Sequence, residues 1–547
     1  MPSPTTLIRR RHVLAGLGAS AFFPAITAVM AHTKVRSGEP LPPILLESYA
    51  DQATVEITRL YAQELAKLGI LTDHKPLSFS QVLAKVVAQK NFSLALSGNG
   101  PAEDRIDPDY YTRVYYSSTG LINIPGYSNP EYDRLALAQA QEIDPEKRKK
   151  LVFDSQRIFA EDMPSWLICA RDALNPVNTA LFKNYKQSRG LGLDTYHVAP
   201  YMLVEPVGNV TEINIATVYA MTSAHPLTER SANGRGYLRF IYDTLLRYDS
   251  DLNIVPWAAE SFRMLAPDLY EITLRSGMKW HDGKPVTVED LKFTIEYLLK
   301  WKPPFLSTYV EQIDNVEITS ENVVNIKLKR PTVTFQTVGM TQLFIMPRHI
   351  WGGLEEKGVK SPMEWDAVND GGLVGSGPFK FVGFQKDVDC YVVANRDHWT
   401  GGPKISGIHL LQVSNVEQLI GGMEAGNVHA ILDGLTIVEA TRLAELEGIE
   451  LLRTPSATLV NFYLDNRIAP FNDRALRLAM YYALPKKKII DVVLGGAATP
   501  ARRAPLPPVF DEWISPDIPG DEYDIERAKT ILAEAGYHVK DGRLIMK

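Results

Sequence analysis

Two stretches of the chain carry side chains that could do chemistry. The first, residues 101–116, is rich in carboxylates and phenols, and Glu103 and Asp104 are its acids nearest to the apolar run 92–96, which predicts a strand. Open α/β sheets place ligands just past the carboxyl ends of their strands, so these acids are candidates for binding rather than for catalysis. Composition alone favours the alternative, a solvated loop.

The second stretch is Trp280-His281-Asp282, where a histidine beside a carboxylate could serve in hydrolysis. The segment His281-Asp282-Gly283 has the composition of a tight turn, because Gly adopts positive φ and Asp hydrogen-bonds the backbone two residues on. A structural role is therefore expected. The chain shows no nucleophile elbow, no glycine-rich phosphate loop and no paired metal-ligand motif, so no catalytic residue, metal or cofactor is predicted.

The elements around this turn are well marked. Residues 270–274 alternate apolar and polar side chains, which predicts a strand with one buried face. Thr287 is a candidate N-cap with Asp290 three residues later, and the apolar side chains that follow recur at helical spacing until Pro303. Strand and helix alternate again over residues 43–96, which predicts a parallel α/β sheet, whereas residues 316–328 predict paired strands of a smaller antiparallel subdomain.

The first residues predict an export signal. Three arginines, Arg9 to Arg11, precede a mildly apolar run that ends at Ala31, in a pattern similar to a twin-arginine signal peptide. Cleavage near Ala31 is expected, and an uncleaved membrane anchor is the alternative. Residues 32–40 are polar and predict a flexible lead-in. The exported protein is expected in the periplasm.

Charge and cysteine content exclude some classes of partner. The formal charge is −6, and loss of the three arginines of the signal makes it −9, which argues against nucleic acid because phosphate binding needs a basic surface. The chain of 547 residues is long enough for two or three domains. Its two cysteines, Cys169 and Cys390, are expected to be buried free thiols.

The segment LRSGMKWHDGKPVTVEDLKFT, residues 274–294, closely resembles a motif of the family 5 extracellular solute-binding proteins, which serve peptide, nickel and related ABC importers. Further segments resemble the family in its own order: 346–351, 375–379, 395–399, 423–430, 470–477 and 528–537. The resemblance implies an α/β fold of two lobes, similar to a type II periplasmic binding protein, with an extra subdomain.

Residues 41 to about 186 resemble the second half of the family's carboxyl-terminal lobe, although they stand at the front of this chain. A circular permutation explains this order, with new termini between 543–546 and 44–46, and it requires the two strand ends to lie within a few residues' reach. A fusion of fragments from two tandem binding proteins, which complete each other by exchange between chains, is the competing explanation.

The resemblance also implies domain boundaries. Lobe I is expected from residues 181–235 and 366–455, with the extra subdomain, 236–365, inserted in it. Lobe II is expected from residues 41–180, its second half, and 456–547, its first half. Residues 1–31 are assigned to the signal and 32–40 to the lead-in.

The function implied by the resemblance is that of a monomeric periplasmic substrate-binding protein of an ABC importer, which delivers a peptide or peptide-like solute to a membrane permease. A non-peptide solute (an opine, a sugar or a nickel chelate), a solute-sensing module and a hydrolase are the alternatives. In peptide-binding relatives an acid in the turn after the strand pairs with the ligand amine. Here Asn99 replaces the usual Trp of that turn, and the candidate ligand-binding residues are Asn99, Glu103, Asp104, Asn461, Phe462 and Tyr463.

Overall fold

The computed structural model describes residues 36–193, 198–219, 221–229, 231–520 and 523–547. The predicted signal, residues 1–31, and the first residues of the lead-in lie outside the described residues. None of the helices within the described part is both long and apolar enough to cross a membrane.

The strands, numbered in chain order, are β1 Ile44–Tyr49, β2 Thr72–Leu77, β3 Leu94–Asn99, β4 Ser165–Asn178, β5 Phe182–Lys183, β6 Glu205–Pro206, β7 Glu212–Thr217, β8 Leu246–Tyr248, β9 Ile254–Pro256, β10 Ala259–Ala266, β11 Leu269–Leu274, β12 Ile313–Ser320, β13 Val323–Leu328, β14 Phe379–Gln385, β15 Asp389–Ala394, β16 Gly407–Gln412, β17 Ala430–Ile431, β18 Ile449–Leu464, β19 Ala498–Pro500, β20 His538–Lys540 and β21 Arg543–Ile545.

The α-helices are α1 Gln52–Ala66, α2 Phe79–Val82, α3 Pro130–Gln141, α4 Pro145–Asp162, α5 Val198–Leu203, α6 Ala232–Ile241, α7 Val288–Trp301, α8 Leu306–Val310, α9 Met340–Gln342, α10 Arg348–Trp351, α11 Val416–Glu424, α12 Ile437–Leu443, α13 Arg474–Tyr482, α14 Lys486–Lys488 and α15 Ile525–Glu534. Short π-helical and 3-10 turns cover Leu83–Ala88, Glu103–Arg105, Tyr110–Val114, Phe335–Gly339, Ile489–Val493 and Pro508–Trp513.

One large sheet joins the two lobes. Its strand order is β14-β15-β16-β7-β17-β4-β18-β3-β1-β2, and β19 also pairs with β4. Strands β1, β2 and β3 are parallel to one another, as are β16, β7 and β17, so each lobe has its own parallel part. The predicted α/β architecture with two lobes is present in this sheet.

The antiparallel pair β4 and β18 connects the lobes. At about 3.3 Å per residue each strand extends over roughly 45–55 Å, which is long enough to reach from one lobe into the other. Trp166 near the start of β4 is buried in the core of lobe II, and Val177 near its end is buried in the core of lobe I. The composition of residues 174–207 predicts a loop-rich segment, but residues 174–178 belong to β4, because pairing with β18 holds them in the sheet despite Pro176.

Separate apolar cores cover the two faces of the lobe II part of the sheet. One face packs against α1, α13 and α15, and the other packs against α3, α4 and the turn at Tyr110–Val114. Helix α6 runs across the expected boundary at residue 235 and packs against lobe I, where the ring of Phe240 contacts that of Phe379 on β14 at a centroid distance of 5.5 Å. Both cysteines are buried and free, as expected.

The inserted subdomain contains a second sheet of order β10-β11-β13-β12. All of its neighbouring strands are antiparallel, so the predicted pairing of residues 316–318 with 323–328 is confirmed. Thr287 caps α7 in a capping box with Asp290, also as expected, and the helix ends just before Pro303, at Lys302 with positive φ.

The two ends of the described chain pair with each other. The N–H of Gly38 donates to the carbonyl of Met546 at 2.8 Å, and Leu41 donates to Leu544 at 2.7 Å. Residues 38–40 are therefore held against β21 and are not a free lead-in. This proximity meets the geometric requirement of a circular permutation, which itself stays a prediction.

Candidate functional site

Aromatic residues from both lobes meet where the strands of the sheet end. Tyr49 is the last residue of β1, Phe79 follows β2, and Tyr219 follows β7 in lobe I. The rings of Tyr49 and Phe79 are stacked with centroids 5.6 Å apart, and the rings of Phe79 and Tyr219 are 6.4 Å apart. Phe79 and Tyr219 are nevertheless 56% and 51% exposed, so their ring surfaces are available to a bound molecule. Sequence analysis did not select any of the three.

Asp433 lies beside these rings at the end of β17. Its carboxylate accepts a hydrogen bond from the hydroxyl of Thr217 at 2.7 Å and another from the N–H of Val218 at 3.1 Å, which places it next to Tyr219. No lysine, arginine or histidine in the described ranges forms an ion pair with it. Desolvation raises the pKa of Asp433 to about 6, although both hydrogen bonds lower it. The carboxylate is therefore mostly charged at pH 7 without a cationic partner.

Asp433 was also missed from the sequence, although a signal for it exists. An Asp-Gly pair follows the short apolar strand β17, which lies parallel to β7 in the sheet. The rule that pointed to residues 101–116, that ligands bind past the carboxyl ends of parallel strands, applies equally here. We call Tyr49, Phe79, Tyr219, Asp433 and Asn461 the interlobe site.

Three of the predicted residues, Asn99, Asn461 and Tyr463, lie on one face of the sheet. Asn461 on β18 pairs with Ser97 on β3, and the Ser97 hydroxyl lies 2.9 Å from the Tyr49 hydroxyl. The Tyr115 hydroxyl donates to Oδ1 of Asn99 at 3.0 Å and also contacts the Tyr463 hydroxyl. Asn461 is only 1% exposed, and its Oδ1 has no hydrogen-bond partner among the described residues. An orphaned buried amide oxygen at this position suits a donor group of a ligand.

Phe462 is placed elsewhere. It is fully buried on the opposite face of β18, where its ring lies 4.8 Å from that of Tyr61 and 6.1 Å from that of Trp166. Because neighbouring residues of a strand point to opposite faces, Phe462 cannot share a site with Asn461 and Tyr463. It is a core residue, so the prediction that it binds the ligand is wrong.

Glu103 and Asp104 lie at the junction of the lobes, but both already have partners. The Glu103 carboxylate is 2.7 Å from Nη1 of Arg239, and the Asp104 carboxylate is 3.2 Å from Nη1 of Arg235. Burial raises the pKa of Asp104, but the positive charges of Arg235 and Arg105 outweigh it and hold this pKa below its usual value. Both acids thus bind arginines of α6, and Oδ1 of Asp104 has no hydrogen-bond partner among the described residues.

The two arginines were missed because the start of α6 was misplaced. The spacing of apolar residues predicts a helix over 237–246, whereas α6 runs from Ala232 to Ile241 and is capped by Ser231, whose side chain accepts from the N–H of Gly234. Two glycines in the first turns hide this start, since glycine is a poor helix former. Arg235 and Arg239, four residues apart on α6, consequently face the same acidic turn.

His281 and Asp282 have structural partners. The imidazole of His281 lies 3.0 Å from the carbonyl of Gly377 through Nε2, and its Nδ1 accepts from the N–H of Gly375 at 3.2 Å. Burial lowers the pKa of His281 to about 4, so the ring is neutral at pH 7. Asp282 pairs with His349 at 2.7 Å. Within the described ranges no group of three or more metal-ligating side chains comes together.

The environment of Asp433 leads to a prediction on stability. We expect Asp433→Asn to raise the free energy of unfolding of the ligand-free protein by about 2 kcal/mol at pH 8. The reason is that a folded-state pKa raised from 3.8 to about 6 disfavours the charged carboxylate. This pKa shift corresponds to an unfavourable free energy of about 3 kcal/mol for the charged carboxylate, which the variant removes. Loss of the hydrogen bond from Val218 offsets roughly 1 kcal/mol of that gain.

The sign of this effect depends on pH. The penalty of the charged Asp433 is absent below pH 3.8, grows as pH rises through about 6, and is complete above it. Urea unfolding of both proteins at pH 8 and near pH 4 measures the difference. Asp387→Asn, on an exposed turn, is the control and should be neutral at both pH values. An equal gain at both pH values would contradict the prediction.

Comparison with known proteins relates this geometry to a family. A family model described as "Bacterial extracellular solute-binding proteins, family 5 Middle" matches residues 253–546, more than half of the chain. The oligopeptide-binding protein AppA of Bacillus subtilis is 26% identical over 305 residues, which cover 55% of each protein. Heme-binding protein A of Haemophilus influenzae is 26% identical over 318 residues, covering 54% of this chain and 56% of that protein. The chain spans about half the length of the curated relatives it matches.

Solved structures share the fold. NikZ from Campylobacter jejuni in complex with Ni(L-His) superposes with a TM-score of 0.51 at 21% identity, over 62% of this chain and 67% of that one. A periplasmic oligopeptide-binding protein from Thermotoga maritima superposes with a TM-score of 0.50 at 24% identity, over 61% and 64%. The two-lobed fold and the family expected from the sequence are thus confirmed. The chain belongs to the family 5 bacterial extracellular solute-binding proteins.

Proposed function

We propose that this protein is the substrate-binding protein of an ABC importer, which captures a peptide or peptide-like solute between its lobes and delivers it to a membrane permease. The observation that carries the proposal is the interlobe site itself. Exposed rings, a carboxylate without a cation and an orphaned amide oxygen converge from both lobes, where closure around the connection made by β4 and β18 would enclose a solute.

The relatives support this proposal through what their names state. AppA is named for binding oligopeptides. GsiB of Pectobacterium atrosepticum, which is 25% identical over 348 residues, is named for binding glutathione. Oligopeptides and glutathione are both peptides with a free amine, which is the kind of solute we propose here. We further propose that the protein is exported by the signal at 1–31, acts as a monomer in the periplasm and catalyses no reaction.

We also propose that the order of the lobes results from circular permutation. Residues 44–99 and the segment after residue 456 contribute neighbouring strands, β1 to β3 and β18, to one lobe. The pairing of residues 38–41 with 544–546 brings the two ends of that lobe together within a single chain. This pairing within one chain supports circular permutation over exchange between two chains.

A thermal-shift screen tests the proposed function. The protein without the predicted signal is heated with members of a library of peptides, opines, sugars and metal chelates. Because a ligand that binds only the folded state stabilises it by mass action, a solute at one hundred times its Kd should add about 2.7 kcal/mol to the free energy of unfolding.

The outcome is checked in two further ways. Mass spectrometry of the recovered solute should show it unchanged, because a binding protein performs no turnover. If no library member shifts the transition, the proposal of solute capture is contradicted, and if the solute is recovered as hydrolysed product, the protein is an enzyme.

A further inference from the structure

The acid expected to bind a ligand amine already has a cationic partner in this protein. Asp104 lies in the turn whose acid pairs with the ligand amine in peptide-binding relatives. Its carboxylate is held by Arg235, whose guanidinium also donates to the Tyr309 hydroxyl at 3.0 Å and lies 4.5 Å from the centroid of the Phe305 ring. A guanidinium held by a carboxylate, a phenol and an aromatic face is not readily displaced by a single ammonium group.

A second carboxylate faces the junction without such a partner. Within the part of the chain that the structure describes, Asp433 accepts from a hydroxyl and a backbone N–H, and neither donor carries a charge. A partly desolvated carboxylate with neutral donors alone is a favourable place for a cation, because the Coulomb interaction is weakly screened there. The positive charge of Arg171 is felt at Tyr219, where burial raises the pKa of the phenol and Arg171 lowers it, but no cation of the described residues forms an ion pair with Asp433.

The rings next to Asp433 suit an organic cation. Tyr49, Phe79 and Tyr219 form a chain of aromatic faces that begins in lobe II and ends beside Asp433 in lobe I. Aromatic faces attract ammonium groups, and they do so most strongly where water is excluded. The orphaned Oδ1 of Asn461 adds an acceptor for an N–H or O–H group of the same molecule.

We propose that the solute carries an ammonium group, and that this group binds between Asp433 and the rings of Tyr49, Phe79 and Tyr219 rather than at Asp104. This inference rests on the proposed function of solute capture and specifies the chemical class of the solute. Amine recognition is thereby transferred from lobe II to lobe I, and Asp104 serves to join the lobes through Arg235.

Matched pairs of solutes test the proposal. Each pair consists of a cation and its closest uncharged counterpart: trialanine and N-acetyl-trialanine, choline and 3,3-dimethylbutan-1-ol, putrescine and butane-1,4-diol. Binding to the protein without the predicted signal is measured by titration calorimetry. At least one cation should bind, its neutral counterpart should bind at least tenfold more weakly, and Asp433→Asn should weaken binding of the cation by a similar factor.

Variants separate the site from general effects on folding. Phe79→Leu replaces an exposed ring and is expected to fold normally. It should weaken binding of the cation about threefold and leave binding of the neutral counterpart unchanged. Asp387→Asn, far from any role in the site, should bind like the parent protein. Asp104→Asn should retain the preference for the cation, because Asp433 supplies the charge.

Each contrary result overturns a defined statement. If a neutral solute binds as tightly as its cation, or if Asp433→Asn and Phe79→Leu leave cation binding unchanged, the ammonium site is wrong. If sugars or other uncharged solutes of the wider library bind and all of the cations fail, the ammonium site is wrong while solute capture stands. If nothing in either set binds, solute capture itself fails.

Discussion

Replacement of Arg148 by Met is expected to lower the free energy of unfolding by about 3–5 kcal/mol. The guanidinium of Arg148 binds the Asp107 carboxylate through both Nη atoms, at 2.5 and 3.1 Å, and both side chains are almost completely buried in lobe II. Without Arg148 the buried carboxylate loses its cationic partner and keeps the neutral N–H of Asp109. Burial raises the pKa of Asp107, but Arg148 holds it below the usual value, so the variant should also shift this pKa upward.

Urea unfolding at pH 7 measures this loss. Because Asp107 takes up a proton more readily without Arg148, the difference between the two proteins should shrink as pH falls below 4. Arg134→Met is the matched control, because both side chains of its ion pair with Glu131 are more than half exposed. Its free energy of unfolding should fall by less than about 1 kcal/mol. Similar losses for the two variants would show that burial of the pair does not matter.

Arg239→Met is expected to open the lobes. Arg239 pairs with Glu103 across the junction, and the exposed fractions of the two side chains are 7% and 1%. Breaking a buried pair of this kind is disfavoured by about 3–5 kcal/mol if the remaining charge stays buried. Unlike Asp107, Glu103 can regain water if the lobes part. The variant should therefore populate an open form with a larger radius of gyration.

Small-angle X-ray scattering of the ligand-free protein measures this opening. The double variant Glu103→Gln with Arg239→Met also removes the unpaired charge of Glu103, so its radius of gyration should return toward that of the parent protein. Arg330→Gln, an exposed arginine of the inserted subdomain, should leave the scattering unchanged. If Arg239→Met scatters like the parent protein, the ion pair does not hold the lobes together.

Local signals in the sequence predicted the regular elements well. The capping box at Thr287 and Asp290 and the alternation in β11 depend on neighbours within a few residues, so the sequence contains their full cause. The second half of β4, in contrast, is not explained by its near neighbours in the sequence. Its second half contains Pro176 and has no strong alternation, and only pairing with the distant β18 makes it a strand.

The candidate site was less predictable, because its residues are brought together by the sheet and not by the chain. Tyr49, Tyr219 and Asp433 are far apart in sequence and meet only because β1, β7 and β17 end at the junction of the lobes. The acids chosen from composition, Glu103 and Asp104, do lie at this junction, but their partners on α6 could not be assigned from the pattern. Phe462 shows that a shift of one residue along a strand reverses its face.

Strand β18 contains an irregularity at the crossing between the lobes. Its pairing with β4 skips from Pro455 to Thr458, so Ser456 and Ala457 bulge out opposite Arg171 and Asp172. Pro455 has no N–H to donate, and the bulge interrupts the ladder between β4 and β18, whereas the N–H of Ala457 donates to the carbonyl of Gly190 at 2.8 Å. The crossing between the lobes is thus tied at this point to the loop at Gly190 and not only to the partner strand. We expect the speed of lobe opening to respond to backbone changes in the bulged segment, although none of its residues belongs to the interlobe site.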